Sequence, residues 1–278
     1  MSRRAISFAV AALAALAAAP AALADSTQSS NWAGYAVHRS GVKYTRVSAT
    51  WIQPEATCSS SGRATYSSMW VGIGGYSLNS RALEQIGTEA DCTAGGRAVS
   101  SAWYELVPDA SHTINLTVEP GDRIRATVSV TGSQVTLSLY DVTRQRSFTR
   151  RLHAHRLDTS SAEWILEAPS VCTDGVSCHT LPLADFGSAG FSSAWAVSAA
   201  GHHGTISDHR WTATKISLAA TGRQFISDPG ADLVTAVPSP LAANGTAFKL
   251  TYAGSATPTG PAQGARIAGD RRALSPTS

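Results

Sequence analysis

Lysine is nearly missing from this chain of 278 residues: Lys43, Lys215 and Lys249 are the only three. Long apolar runs are missing too. Beyond residue 24 nothing reaches the ~18 apolar residues of a membrane-spanning helix. No CxxC or HExxH spacing marks a zinc site. No GxSxG marks a serine-hydrolase elbow, and GSAG at Gly187–Gly190 is not that turn. No long segment keeps a 3.6-residue apolar period, so nothing argues for a helical bundle. An excess of one charge is also lacking. The chain has 22 Lys plus Arg against 19 Asp plus Glu, and without Arg3 and Arg4 the basic count is 22 − 2 = 20. That balance offers no electrostatic case for a nucleic-acid partner.

What is present begins with the first 24 residues. MSRR, an apolar run interrupted by Ser7 and Pro20, and the small-x-small site Ala22–Ala24 have the form of a secretory signal peptide. The mature chain is then expected to start near Asp25, to be secreted, and to leave the membrane once the signal is removed. Four cysteines in an exported chain suggest two disulfides, for which three connectivities exist. Cys172 and Cys178 are six apart and suit a local loop, which leaves Cys58 with Cys92.

The rest reads as strands. KYTRVSATWIQP alternates, with Val47, Ala49 and Trp51 on one face and Arg46, Ser48 and Thr50 on the other. SSMWVGIGGY and SAWYELVP are apolar runs closed by Gly and Pro. The stretch from Thr113 to Leu152 reads as three strands, with turns at EPGD, TGSQ and DVTRQ. Short strands separated by Gly/Pro turns predict an all-β sandwich or barrel in a single domain. We place that domain at 31–253, after a short segment at 25–30. A tail at 254–278 is too poor in apolar residues for a core and is expected to be disordered.

Strand alternation sets polar residues beside large apolar ones. Gln85 shares a face with Leu83 and Gly87; Glu105 shares one with Trp103 and Val107. Trp70 stands with Gly72 and Gly74, and Trp32 with Gly34 and Ala36. Tryptophans beside glycines leave concave space into which an amide and carboxylates project. The ordinary reading of each residue is plainer: alternate Glu marks a wet sheet face, and Trp fills cores. In SAEWILEAPS, Glu163, Ile165 and Glu167 share one face. The pair His153 and His155 lies among arginines, which disfavours a bound cation, and His202, His203 and His209 sit in a glycine-rich loop.

Seven motifs in order, SSNWAGYAV, SSMWVGIGGY, LEQIG, AWYELVP, GDRIRATV, AEWILEAP and LADFGSAGF, resemble the glutamic peptidases called eqolisins. Fungal members read close to NWAG, AWVGIDG, LQTG, AWYEWYP, GDSIKVTV, AEWIVEDF and FADFG. The resemblance runs from about Asn31 to Tyr252. It implies an antiparallel β-sandwich of two large sheets, concanavalin/lectin-like, with a Gln/Glu dyad on its concave face. The glutamine of LQTG becomes Gln85, and the second glutamate of AEWIVE becomes Glu167. Glu105 is expected to support the dyad, and Trp32, Trp70 and Trp103 to line the substrate cleft. Glu163 is expected on the solvated rim.

The chain departs from the family at Gly74, where the family has aspartate. It also carries only Asp25–Ser30 between the signal and NWAG, without a long propeptide, so removal of a large inhibitory segment is not expected. The implied activity is acid-active endoproteolysis of proteins or peptides by a monomer, without metal or cofactor. The alternatives are a secreted carbohydrate-binding module, or a glycoside hydrolase with two carboxylates ~5–9 Å apart.

Overall fold

The computed structural model describes residues 25–59, 62–173, 177–219 and 234–253. The expected signal peptide and C-terminal tail lie outside these residues. The described chain is built of strands and one short 3-10 turn at Ala243–Gly245. In order they are β1 (Asp25–Ser29), β2 (Trp32–His38), β3 (Tyr44–Ile52), β4 (Ser68–Gly74), β5 (Leu83–Cys92) and β6 (Ala98–Val107). There follow β7 (His112–Ile114), β8 (Arg123–Thr131), β9 (Gln134–Asp141), β10 (Arg146–His153), β11 (Ser161–Glu167) and β12 (Ser170–Thr173). The last are β13 (Ser177–Thr180), β14 (Ser188–Ser198), β15 (His203–Gly204), β16 (Thr212–Ala219), β17 (Val234–Pro238) and β18 (Phe248–Tyr252).

These strands form the expected β-sandwich, with one difference. The order β16-β2-β11-β4-β5-β6-β7 makes one half and β10-β9-β8-β3-β14-β18-β17 the other, but β17 pairs with both β16 and β18. The ladder is therefore continuous around one side, where the family resemblance implies two separate sheets. The short segment at the N-terminus contributes β1 to the sheet. It runs parallel to β16, Asp25 opposite Thr214. Cys58 and Cys92 form a disulfide, as spacing predicts. Cys172 and Cys178 are register partners across the β12–β13 hairpin, and their side chains fall outside what is described.

Alternation decides which residues become core. From the first half, Tyr35, Val71, Ile86 and Trp164 point inward; from the second, Val47, Trp51, Val128 and Leu137 meet them. Two indoles join the halves across this core. Trp164 Nε1 donates to the Ser48 carbonyl at 2.9 Å, and Trp51 Nε1 donates to Thr88 Oγ1 at 2.9 Å. Buried polar groups are costly when unpaired, so each bond fixes one half against the other. Trp164→Phe and Trp51→Phe keep most of the apolar area but strand one buried acceptor each. Each is expected to lower unfolding stability by ~1–3 kcal/mol, read from the urea midpoint. An unchanged midpoint in both would show that the bonds contribute nothing.

Candidate active site

The first half turns its other face outward, and strand register orders the side chains there. One cross-strand row runs Ala36–Glu163–Gly72–Gln85–Glu105. The next runs Gly34–Ile165–Trp70–Gly87–Trp103. A third runs Trp32–Glu167–Ser68–Glu89–Ser101. Gln85, Glu105, Glu163, Glu167 and the three tryptophans therefore share one face. Trp32, Trp70, Trp103 and Ile165 form its apolar floor, with Trp32 edge-on to Trp70 at 5.0 Å between ring centroids.

Gln85 lies on β5, and its Nε2 donates to Glu105 Oε2 at 2.6 Å. Its carbonyl oxygen Oε1 is buried without a hydrogen-bond partner. Glu167 ends β11. Its Oε2 accepts from Trp70 Nε1 at 2.8 Å and its Oε1 from Asn31 Nδ2 at 3.1 Å. Two donors aimed at one carboxylate favour its ionised form. Asn31 was not singled out in the sequence, although it opens the NWAG motif. Ser29 Oγ donates to Asn31 Oδ1 at 3.0 Å and leaves the amide nitrogen aimed at Glu167.

Two glutamates share this face, and their surroundings separate them. Glu163 stands in the same row as Gln85 across Gly72, ~10 Å away at two strand spacings. A Cβ on Gly72 would sit 2.9 Å from both Leu83 Cδ1 and Trp70 Cζ3. Those two side chains thus cover Gly72 and wall Glu163 off from Gln85. Glu163 is fully buried, which corrects its expected place on the solvated rim. Neither of its carboxyl oxygens has a partner in good geometry. Glu167 remains 8% exposed. Trp70 is the diagonal neighbour of both Gln85 and Glu167 and bridges them.

Burial dominates the proton affinity of the hidden carboxyls. Glu163 is pushed well above the ordinary carboxylate range by desolvation, partly offset by Ser161 and reinforced by Asp158 and Glu84. Glu84, on the opposite, inter-sheet face of β5, is raised to about 9 by burial and by Asp158. Asp158 itself is held below its usual value. Desolvation raises it, but bonds from Ser80, Ser160 and the Gly75 amide outweigh that. This loop also accounts for Gly74. Its φ is +85°, and a Cβ there would stand 2.3 Å from the Asp158 carbonyl oxygen and 2.8 Å from Asp158 Cβ. A side chain at 74 has no room, and the carboxylate beside this turn comes from Asp158.

A carboxyl whose folded-state pKa lies above its unfolded value binds its proton more tightly when folded. Folding stability is thus fully retained below about pH 4.5 and declines as pH rises towards about 9 for Glu84. The melting temperature is expected to fall by several degrees between pH 4 and pH 8. Glu84→Gln, which cannot ionise, should flatten that slope, and an equally steep slope in the variant would contradict the assignment.

Comparison with known proteins follows the same geometry. Residues 30–227 match the model of the Peptidase A4 family. A search among curated proteins finds no match. Among solved structures the chain is similar to scytalido-glutamic peptidase bound to a peptide-based transition state analogue. The TM-score is 0.64 and the identity 24%, over 80% of this chain and 98% of that one. It is similar to SCP-B, an eqolisin in complex with the tripeptide Ala-Ile-His, with TM-score 0.61 and 23% identity over 80% and 98%. Aspergilloglutamic peptidase from Aspergillus niger matches with TM-score 0.51 and 27% identity over 68% and 99%. The chain belongs to the Peptidase A4 family, and it is a glutamic-type endopeptidase.

Proposed function

We propose that Gln85 and Glu167 are the catalytic dyad of a secreted, acid-active endopeptidase that cleaves proteins or peptides. The Gln85–Glu105 bond carries this reading. A glutamine amide has two N–H donors. Glu105 takes one and fixes the amide plane, so the second is left to meet an oxyanion. Glu167 in its carboxylate form removes a proton from water as the hydroxyl adds to the peptide carbonyl carbon. The oxyanion formed accepts from Gln85 Nε2, a contact of the kind worth ~3–4 kcal/mol of barrier. Glu167 then returns the proton to the amine nitrogen as the C–N bond breaks. Trp32, Trp70 and Trp103, at most 2% exposed, form the apolar floor beneath the extended substrate.

Acid operation has its own support. Glu84 and Glu163 are buried as neutral acids, and raising the pH forces charge into the sheet that carries the dyad. Secretion rests on the form of residues 1–24.

The test incubates wild-type protein and Glu167→Gln with a denatured protein from pH 2 to pH 7, with fragments read by mass spectrometry. Acid-range cleavage by the wild type and at least a thousandfold loss in the variant are expected. Retained activity in Glu167→Gln would refute the dyad. Glu105→Leu, which removes the acceptor, should lower kcat by about tenfold with little change in KM, because it frees the Gln85 amide to rotate without removing it. A change in KM alone would assign Glu105 to substrate binding instead.

A further inference from the structure

The near-neutral composition conceals a local excess. Across residues 123–157 the chain has seven arginines and one carboxylate, Asp141. That carboxylate is buried and lies with Asp122 and Glu119 around Arg144. The other six, Arg123, Arg125, Arg146, Arg150, Arg151 and Arg156, are exposed. Among the described residues none of them forms an ion pair. His153 and His155 are exposed on the same stretch.

Charge on an exposed edge strand keeps other chains from pairing with it, and β10 is such an edge. That explains Arg146, Arg150 and Arg151. It does not explain Arg123 and Arg125 on β8, two strands in, or the exposed Arg46 on β3, three strands in. Register puts these interior arginines on the outward face of the second half. Thr50, Arg125, Tyr140 and Ser147 make one row, and Arg46, Ser129, Thr136 and Arg151 another. Between them lies a row of hydroxyls, Ser48–Thr127–Ser138–Thr149. Tyr140 is 37% exposed beside Arg125.

We propose that this face binds a sulfated polysaccharide. Guanidinium forks pair with sulfate oxygens in a bidentate manner that lysine does not reproduce. Ser48 of the hydroxyl row is buried, but Thr127, Ser138 and Thr149 are at least partly exposed and offer donors and acceptors to sugar hydroxyls, and Tyr140 offers a ring face to the sugar C–H groups. Sulfate esters and guanidinium both keep their charge in acid, so the contact survives where carboxylates are protonated. The face lies across the core from Gln85 and Glu167, so an occupied surface leaves the cleft open. This inference does not depend on the dyad assignment.

The experiment measures binding of the whole folded protein at pH 5 and low salt to dextran sulfate, uncharged dextran, a DNA duplex and phosphatidylglycerol vesicles. Expected are binding to dextran sulfate that weakens steeply with added salt, no binding to dextran, and weaker binding to DNA and vesicles. R123S/R125S/R151S should bind dextran sulfate at least tenfold more weakly, with melting temperature and peptide cleavage unchanged. Should that variant fail to fold, R123K/R125K/R151K keeps the charge without the forks and is expected to lose severalfold. Absence of binding to dextran sulfate, a variant that binds like wild type, or tighter binding to DNA or vesicles would each overturn the proposal.

Discussion

Trp70 donates its indole N–H to Glu167 while its ring reaches over Gly72, and both contacts require β4 to keep two unlike faces. Met69, Val71 and Ile73 on one face pack into the core. Ser68, Trp70 and Gly72 on the other are one large ring between two of the smallest residues. That spacing lets one indole span the diagonal from Gln85 to Glu167. It also shields Glu163, so two carboxyls four residues apart on one strand have unlike environments. A larger residue at 72 would meet Trp70 and Leu83 and displace the ring that orients the carboxylate.

The same sheet carries a thermodynamic burden. Glu84 and Glu163 lie on opposite faces, both out of water and without hydrogen-bond partners in good geometry. Buried carboxyls of this kind persist as neutral acids rather than as charges. The two indole bonds across the core work in the other direction, since each satisfies a buried acceptor while tying the halves together. The fold thus combines two satisfied indoles across the core with a pair of buried acids that favour the folded state when protonated.

Much of this was legible in strand alternation. Period-2 patterning put Gln85, Glu105, Trp32, Trp70, Trp103 and Glu167 on shared faces, and register brings those faces together. Alternation specifies a face but not a depth, so Glu163 was expected on a rim when Trp70 and Leu83 in fact help to cover its row. Partners from distant segments were invisible for a related reason. Asn31 reaches Glu167 across 136 residues of sequence, and Asp158 fills the space beside Gly74 from a loop that carries no motif. The arginine-rich wing was missed because whole-chain charge averages it against acids elsewhere. The closure through β17 had no sequence signal, since periodicity does not say which strand ends a sheet.

The parallel pairing of β1 with β16 bears on how the chain reaches this state. Asp25 finds its partner at Thr214, and β18, near the end of the described chain, completes the bridge through β17. Few strands on this closing side pair with near neighbours in sequence, so little loop entropy is recovered early and folding is slow. A chain that emerges from its N-terminus cannot seat β1 until almost everything else has followed. The closing side therefore forms late, whereas the floor residues Trp32, Trp70, Trp103 and Ile165 all precede Glu167 in the chain.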